Sequence, residues 1–289
     1  MTSHLIRTVA RQHPAYRDDI GDLITRRPIP GPGLDQLDPF LFLNHHGPQT
    51  YPPGNQGLPF GPHPHRGFET VTFILEGELA HNDSAGGESI IKAGGIQWMT
   101  AGSGLIHAEL SPTSFKREGG SMEILQLWVN LPSRLKMTKP DYVGLQAADI
   151  PTFITDDGRV TVEPVSGVWG EVTAPIQSLI DIHLAVLRFK PGGMFETPVA
   201  RGRAVFMYAV AGQVSVGGTA VEPWNLIALN DGEAVSIEAG SDAIILLGHA
   251  EPIGEPVASH GPFVMNTREE IIQAISDYNA GKFGPPPTI

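Results

Sequence analysis

The chain contains no cysteine, which excludes disulfides, thiolate metal ligands and a cysteine nucleophile. Cations are scarce: 19 Lys and Arg stand against 31 Asp and Glu, for a formal net charge of −12 and a pI near 5.3. That balance argues against a phosphate-binding surface, because nucleic-acid affinity rests on Lys and Arg neutralising phosphates. Apolar residues nowhere run together for the roughly 18 positions a membrane span needs. The N-terminal stretch Met1-Thr-Ser-His-Leu-Ile-Arg also lacks the apolar core of a signal peptide. The expectation is a soluble cytoplasmic protein that contacts neither nucleic acid nor membrane directly.

What the sequence does have is punctuation. Its 289 residues include 34 Gly and 26 Pro, spread along the chain, which favours short strands and tight turns over long helices. Leu37–Leu43 reads as a buried strand, Asn44-His45-His46-Gly47-Pro48 as a turn, and Pro48 to Pro64 as a loop long enough to be functional or a lid. Strands are predicted at 67–79, 88–92, 96–100, 105–110 and 121–130, at intervals of about ten residues, the spacing of a barrel or sandwich. Residues 131–151 read as a linker. Strands then recur at 160–165, 180–190, 204–209, 213–216, 227–229, 234–238 and 243–248, with Asn230-Asp-Gly232 as a tight hairpin connection. Thr267-Arg-Glu-Glu270 is a capping box, and Ile271, Ile275 and Tyr278 follow at helical spacing.

The chemistry-bearing stretch is His63 to Glu109. His63-Pro-His65 places two imidazoles two residues apart, and His107-Ala-Glu109 repeats that spacing with a carboxylate. Residues i and i+2 of a strand share a face, so two neighbouring strands could bring three imidazoles and a carboxylate to one point. That donor set suits a divalent transition metal and leaves positions open for water, O2 or a chelating substrate.

Gly57-x5-His63-x-His65-x3-Glu69 resembles the first motif of the cupin superfamily. More narrowly, His63-Pro-His-Arg-Gly-Phe-Glu-Thr-Val-Thr72, Gln97-Trp-Met-Thr-Ala-Gly102, Gly104-Leu-Ile-His-Ala-Glu109, Leu127-Trp-Val-Asn-Leu-Pro132 and Gly261-Pro-Phe-Val-Met-Asn-Thr267 resemble the pirin family. The resemblance spans nearly the whole chain. It implies an all-β fold of two stacked cupin (double-stranded β-helix) barrels, a bicupin, with a short C-terminal α-helix. The N-terminal metal-binding domain would cover 1–135, and a metal-free domain 136–289, with the helix at about 267–280. By the same resemblance Fe(II) is held by His63, His65, His107 and Glu109, and Mn, Ni, Cu or Zn suit the same donors.

Two functions are implied: a quercetin 2,3-dioxygenase acting on a flavonol or similar aromatic compound, with Glu109 as proton acceptor, or an iron- and redox-dependent regulator binding a protein partner. A third class, a cupin isomerase or other hydrolytic metal enzyme, would act without O2. Glu69 fills the general cupin slot, whereas Glu109 fits the pirin pattern, which leaves Glu69 to orient a ligand histidine or pair with Arg66. Asn44-His-His-Gly47 departs from the more acidic pirin pattern. His45, His46 and His81 read as surface or rim residues. Gln126, Trp128, Trp98 and Met99 read as core, and Phe60 as a pocket wall. In the second half, Gly193-Met-Phe-Glu196 stands where the paired histidines stand in the first, and His183, His249 and His260 share no paired spacing. Structural support for the first barrel is the role expected of it.

Overall fold

The computed structural model describes residues 4–155 and 157–287. Strand-forming residues alternate along most of the chain, and the strands assemble into two compact units. One unit comprises Arg17–Arg27, Phe40–Ala148 and Ile253–Ile289; the other comprises Met1–Tyr16, Pro28–Pro39 and Asp149–Pro252. Each unit therefore draws on separated stretches of chain, which the contiguous division at 135/136 did not anticipate. The physical reason is pairing. Strand Val9–Pro14 hydrogen-bonds to Asn225–Leu229, and helix Arg268–Asn279 packs Ile271 and Ala274 against Ile106, Phe263 and Phe283.

The first unit has a seven-stranded sheet in the order 141–145, 96–100, 68–76, 120–130, 40–51, 25–29, 16–17, and a four-stranded sheet in the order 60–65, 105–110, 78–83, 88–92. The second unit repeats both orders. Its larger sheet runs 9–14, 225–229, 204–211, 243–250, 182–189, 160–166, 153–154, and its smaller one 194–198, 234–239, 214–216, 219–221. The two are the double-stranded β-helix of a cupin, built twice.

Several local expectations change. Asn44-His45-His46-Gly47-Pro48 is no turn but the middle of a twelve-residue strand, Phe40–Tyr51. His45 and His46 pair with Leu125 and Ile124, and the Gly-Pro step is absorbed by a register shift between Met122 and Ile124. The loop before His63 is correspondingly shorter, because Phe60–His65 is already strand. Part of the expected linker, Asp141–Leu145, adds an edge strand beside Ile96–Thr100. Asn230-Asp-Gly232 does not close a hairpin, since the strands on either side of it belong to different sheets. The helix at Arg268–Asn279 has the capping box read from sequence: Thr267 Oγ1 accepts from the Glu270 N–H, and the Glu270 carboxylate accepts from the Thr267 N–H.

Candidate metal centre

Strand Phe60–His65 lies antiparallel to Leu105–Leu110, with His63 opposite His107 and His65 opposite Leu105. Alternation along both strands turns His63, His65 and His107 to one side, and one ring nitrogen from each falls within 4.8 Å of the others. It is the only such group of His, Asp and Glu among the described residues. Burial pushes His65 down to about 3 and His107 well below the ordinary histidine value, with the neighbouring rings adding to the effect. Both are neutral near pH 7, as a ligand must be.

The donors fit a divalent ion. His63 Nδ1 donates to the Gly61 carbonyl at 2.8 Å and His65 Nδ1 to the Pro262 carbonyl at 3.4 Å, which leaves each Nε2 a bare lone pair. The Nε2 atoms of His63 and His107 stand 2.9 Å apart. Two ligands at right angles, each about 2.1 Å from an ion, stand about 3 Å apart. His65 Nε2 is buried with no hydrogen-bond partner among the described residues.

Glu109 follows on the same face as His107 but outside the group that the three rings form. Its carboxylate accepts from Thr72 Oγ1 at 3.2 Å, from Gln97 Nε2 and from Gln126 Nε2. Thr72 is opposite both glutamines in the sheet, so the three donors form one row across neighbouring strands. The Tyr142 hydroxyl donates to Gln97 Oε1 at 3.1 Å, which fixes the Gln97 amide with its nitrogen toward Glu109. Glu69 is buried and accepts from Thr100 Oγ1 at 2.7 Å. Arg66 pairs with Asp277 at 2.9 Å and donates to the Ser103 carbonyl. The C-terminal segment is thereby tied to the ligand strand, and Gly67 makes the close approach possible: its φ is +89° and a Cβ there would meet the Val264 carbonyl at 2.0 Å.

His45, His46 and His81 are buried rather than on the surface, and His46 and His81 line cavities. His45 meets Glu123 at 2.8 Å, His46 meets the Thr25 hydroxyl at 2.9 Å, and His81 meets Asp83 at 2.8 Å. Gln126 is likewise more than packing, whereas Trp128 packs in an apolar cluster, as read from the sequence. Gln126 holds Glu109, and half-buried Trp128 stacks between Phe42 and Phe68, each 4.5 Å away, with its ring 5.4 Å from that of His65. Trp98 and Met99 are buried, and Phe60 lines the small interior space beside Glu109. The parts missed from sequence are Thr72, Gln97, Tyr142 and the Pro262 carbonyl. Their roles depend on register and on a contact 197 residues away in the chain, neither of which alternation alone reveals.

A cupin built twice, with a histidine triad inside one barrel, defines a two-barrel protein with one candidate metal site. The family profile described as Pirin matches residues 22–129, and that described as Pirin C-terminal cupin domain matches 184–284. The chain belongs to the pirin family. It is 41% identical over 268 residues to a pirin-like protein of Caulobacter vibrioides, covering 92% of this chain and 94% of that one. The crystal structure of a quercetin 2,3-dioxygenase from Acinetobacter baumannii superposes with a TM-score of 0.89 at 33% identity, over 96% of this chain and 99% of that one. A bacterial pirin from Escherichia coli, solved in complex with nickel(II), shares the fold with a TM-score of 0.65 at 23% identity, over 86% of this chain and all of that one.

Proposed function

We propose that the chain is a metal-dependent dioxygenase of the quercetin 2,3-dioxygenase type, acting on a flavonol or a related planar enol or phenol. The observation that carries this reading is the convergence of three imidazoles within 4.8 Å, and the name of the Acinetobacter neighbour supports it. Fe(II) is the ion we assign to His63, His65, His107 and Glu109, though Mn, Ni, Cu and Zn suit the same donors. A bound ion would supply Lewis acidity and, as iron, electrons for O2 chemistry.

The residues themselves do the rest. The three imidazoles fix the ion's place, and the rings of Phe68 and Trp128 pack against the His65 ring at 5.1 and 5.4 Å and hold it in position. Glu109 is the proton acceptor for the substrate hydroxyl, kept in position by Thr72, Gln97 and Gln126. Deprotonation prepares the flavonol for O2 addition, ring opening and release of carbon monoxide. The test is anaerobic titration of iron-loaded protein with quercetin, followed by O2. Loss of quercetin with release of carbon monoxide is expected, and an iron-loaded sample that gives neither overturns the reading.

One observation favours a second reading, an iron- and redox-dependent regulator that binds a protein partner. The space bounded by His46, Phe60, Thr72, Glu109 and Gln126 is only ≈ 10 Å³, room for about one water, so a flavonol reaches Glu109 through it only by displacing these side chains. Partner capture that depends on the iron oxidation state and is lost in His63→Ala would support this alternative. Capture indifferent to both would remove it.

A further inference from the structure

The outward-facing nitrogens of the three ring ligands are not treated alike. His63 and His65 each donate Nδ1–H to a backbone carbonyl. His107 does not: its Nδ1 is buried and has no hydrogen-bond partner among the described residues. A ligating imidazole normally passes its second N–H to a carboxylate, carbonyl or water, and a buried donor left without an acceptor is costly.

A matching orphan lies next to it. His81 gives its Nε2–H to Asp83 Oδ2 at 2.8 Å, which leaves its own Nδ1 as a lone pair, buried and equally unpartnered. The two rings are 5.4 Å apart between centroids, within reach of an N–H···N bond after a modest ring rotation, or of one bridging water. Asp83 is itself held, its Oδ1 accepting from the Ala85 and Gly87 N–H groups at 2.8 and 3.0 Å. Tyr142 lies flat on His81 at 3.9 Å and 8° and limits its tilt. With His107 ligating through Nε2, a buried donor and a buried acceptor sit on adjacent, well-braced rings.

We propose that His81 and Asp83 are positioning residues for His107. The Asp83 carboxylate keeps the His81 Nδ1 lone pair bare, and that lone pair takes the Nδ1–H of His107. The result is a carboxylate–imidazole–imidazole relay behind one ligand, where the other two lean on neutral carbonyls. A carboxylate at the end of the relay makes His107 the most strongly donating of the three rings. The inference rests on the reading of His107 as a metal ligand.

The test uses the full chain loaded with cobalt(II), in which each ligating imidazole gives one exchangeable, hyperfine-shifted N–H resonance. Asp83→Asn is nearly isosteric and keeps the acceptor for the Ala85 and Gly87 N–H groups. Its amide nitrogen, turned to His81 Nε2, moves the His81 proton to Nδ1, so that two donors face each other. His81→Phe keeps a ring against Tyr142 and removes the acceptor altogether.

In both variants one of the three N–H resonances should shift or exchange away while the other two stay, with cobalt affinity falling about 10- to 100-fold. Three resonances in their wild-type places in both variants would overturn the relay alone, as would a loss of thermal stability that displaces all three together. Fewer than three resonances in the wild type would overturn the ligand reading and the relay with it.

Discussion

The two barrels share strand order but fill their interiors with opposite chemistry. In the second, 21 buried apolar residues form one cluster that runs through both of its sheets. In the first, the apolar cluster beneath the site has nine buried members. The neighbouring interior belongs to His46, Thr72, Gln97, Glu109, Gln126 and the three clustered histidines. The contrast is sharpest at equivalent strand pairs. Where His63 faces His107, Phe195 faces Ile237, and Thr197 faces Val235.

Even the titratable groups of the second unit are arranged differently. Arg203 donates to His249 Nδ1 at 2.8 Å and pairs with Asp181 at 2.6 Å and Glu251 at 3.3 Å. A guanidinium there takes the acceptors that a metal would need. One barrel lines its interior with titratable and polar groups and the other with apolar side chains, and a duplicated fold lets the two differ.

That difference can be broken in two ways. The larger effect is expected in the apolar barrel. Ile237→Ala opens a cavity in a fully buried cluster and should cost about 4 kcal/mol of stability, read by denaturant unfolding, while the metal content of the folded protein stays unchanged. A parallel loss of metal would show that the barrels are not divided in labour.

The smaller effect belongs to the polar unit. Lys136 is fully buried, donating to Gly67 and Val264 carbonyls and to Asn130. Burial lowers its pKa from 10.5 to about 8. Between those values the unfolded chain holds the proton that the folded chain has released, so stability rises with pH across that window. Melting temperatures of wild type, measured against Lys136→Met from pH 8 to 10.5, should show the wild type gaining. A flat or falling difference would contradict the lowered pKa of Lys136.

Much of this was legible in the sequence, for identifiable reasons. Strands such as Phe68–Glu76 and Leu105–Leu110 declare themselves by alternation, and the two i, i+2 pairs mark the strands of the histidine cluster because strand geometry leaves them one face to share. Thr267 and Glu270 fix the helix start locally. What resisted was whatever depends on a partner strand. His45 and His46 look like a turn because Gly47-Pro48 follows, yet pairing with Ile124 and Leu125 keeps the chain extended. Val9–Pro14 carries no sign that its partner lies more than 200 residues on. Gln97, Thr72 and Gln126 become a clamp on Glu109 only once their register is known.

The central claim, that one barrel holds a metal and the other does not, is tested most directly by elemental analysis of protein purified without added metal, beside the His107→Ala variant. One transition-metal ion per wild-type chain, lost in His107→Ala, is the predicted result. Two ions per chain, or one retained by His107→Ala, would contradict it.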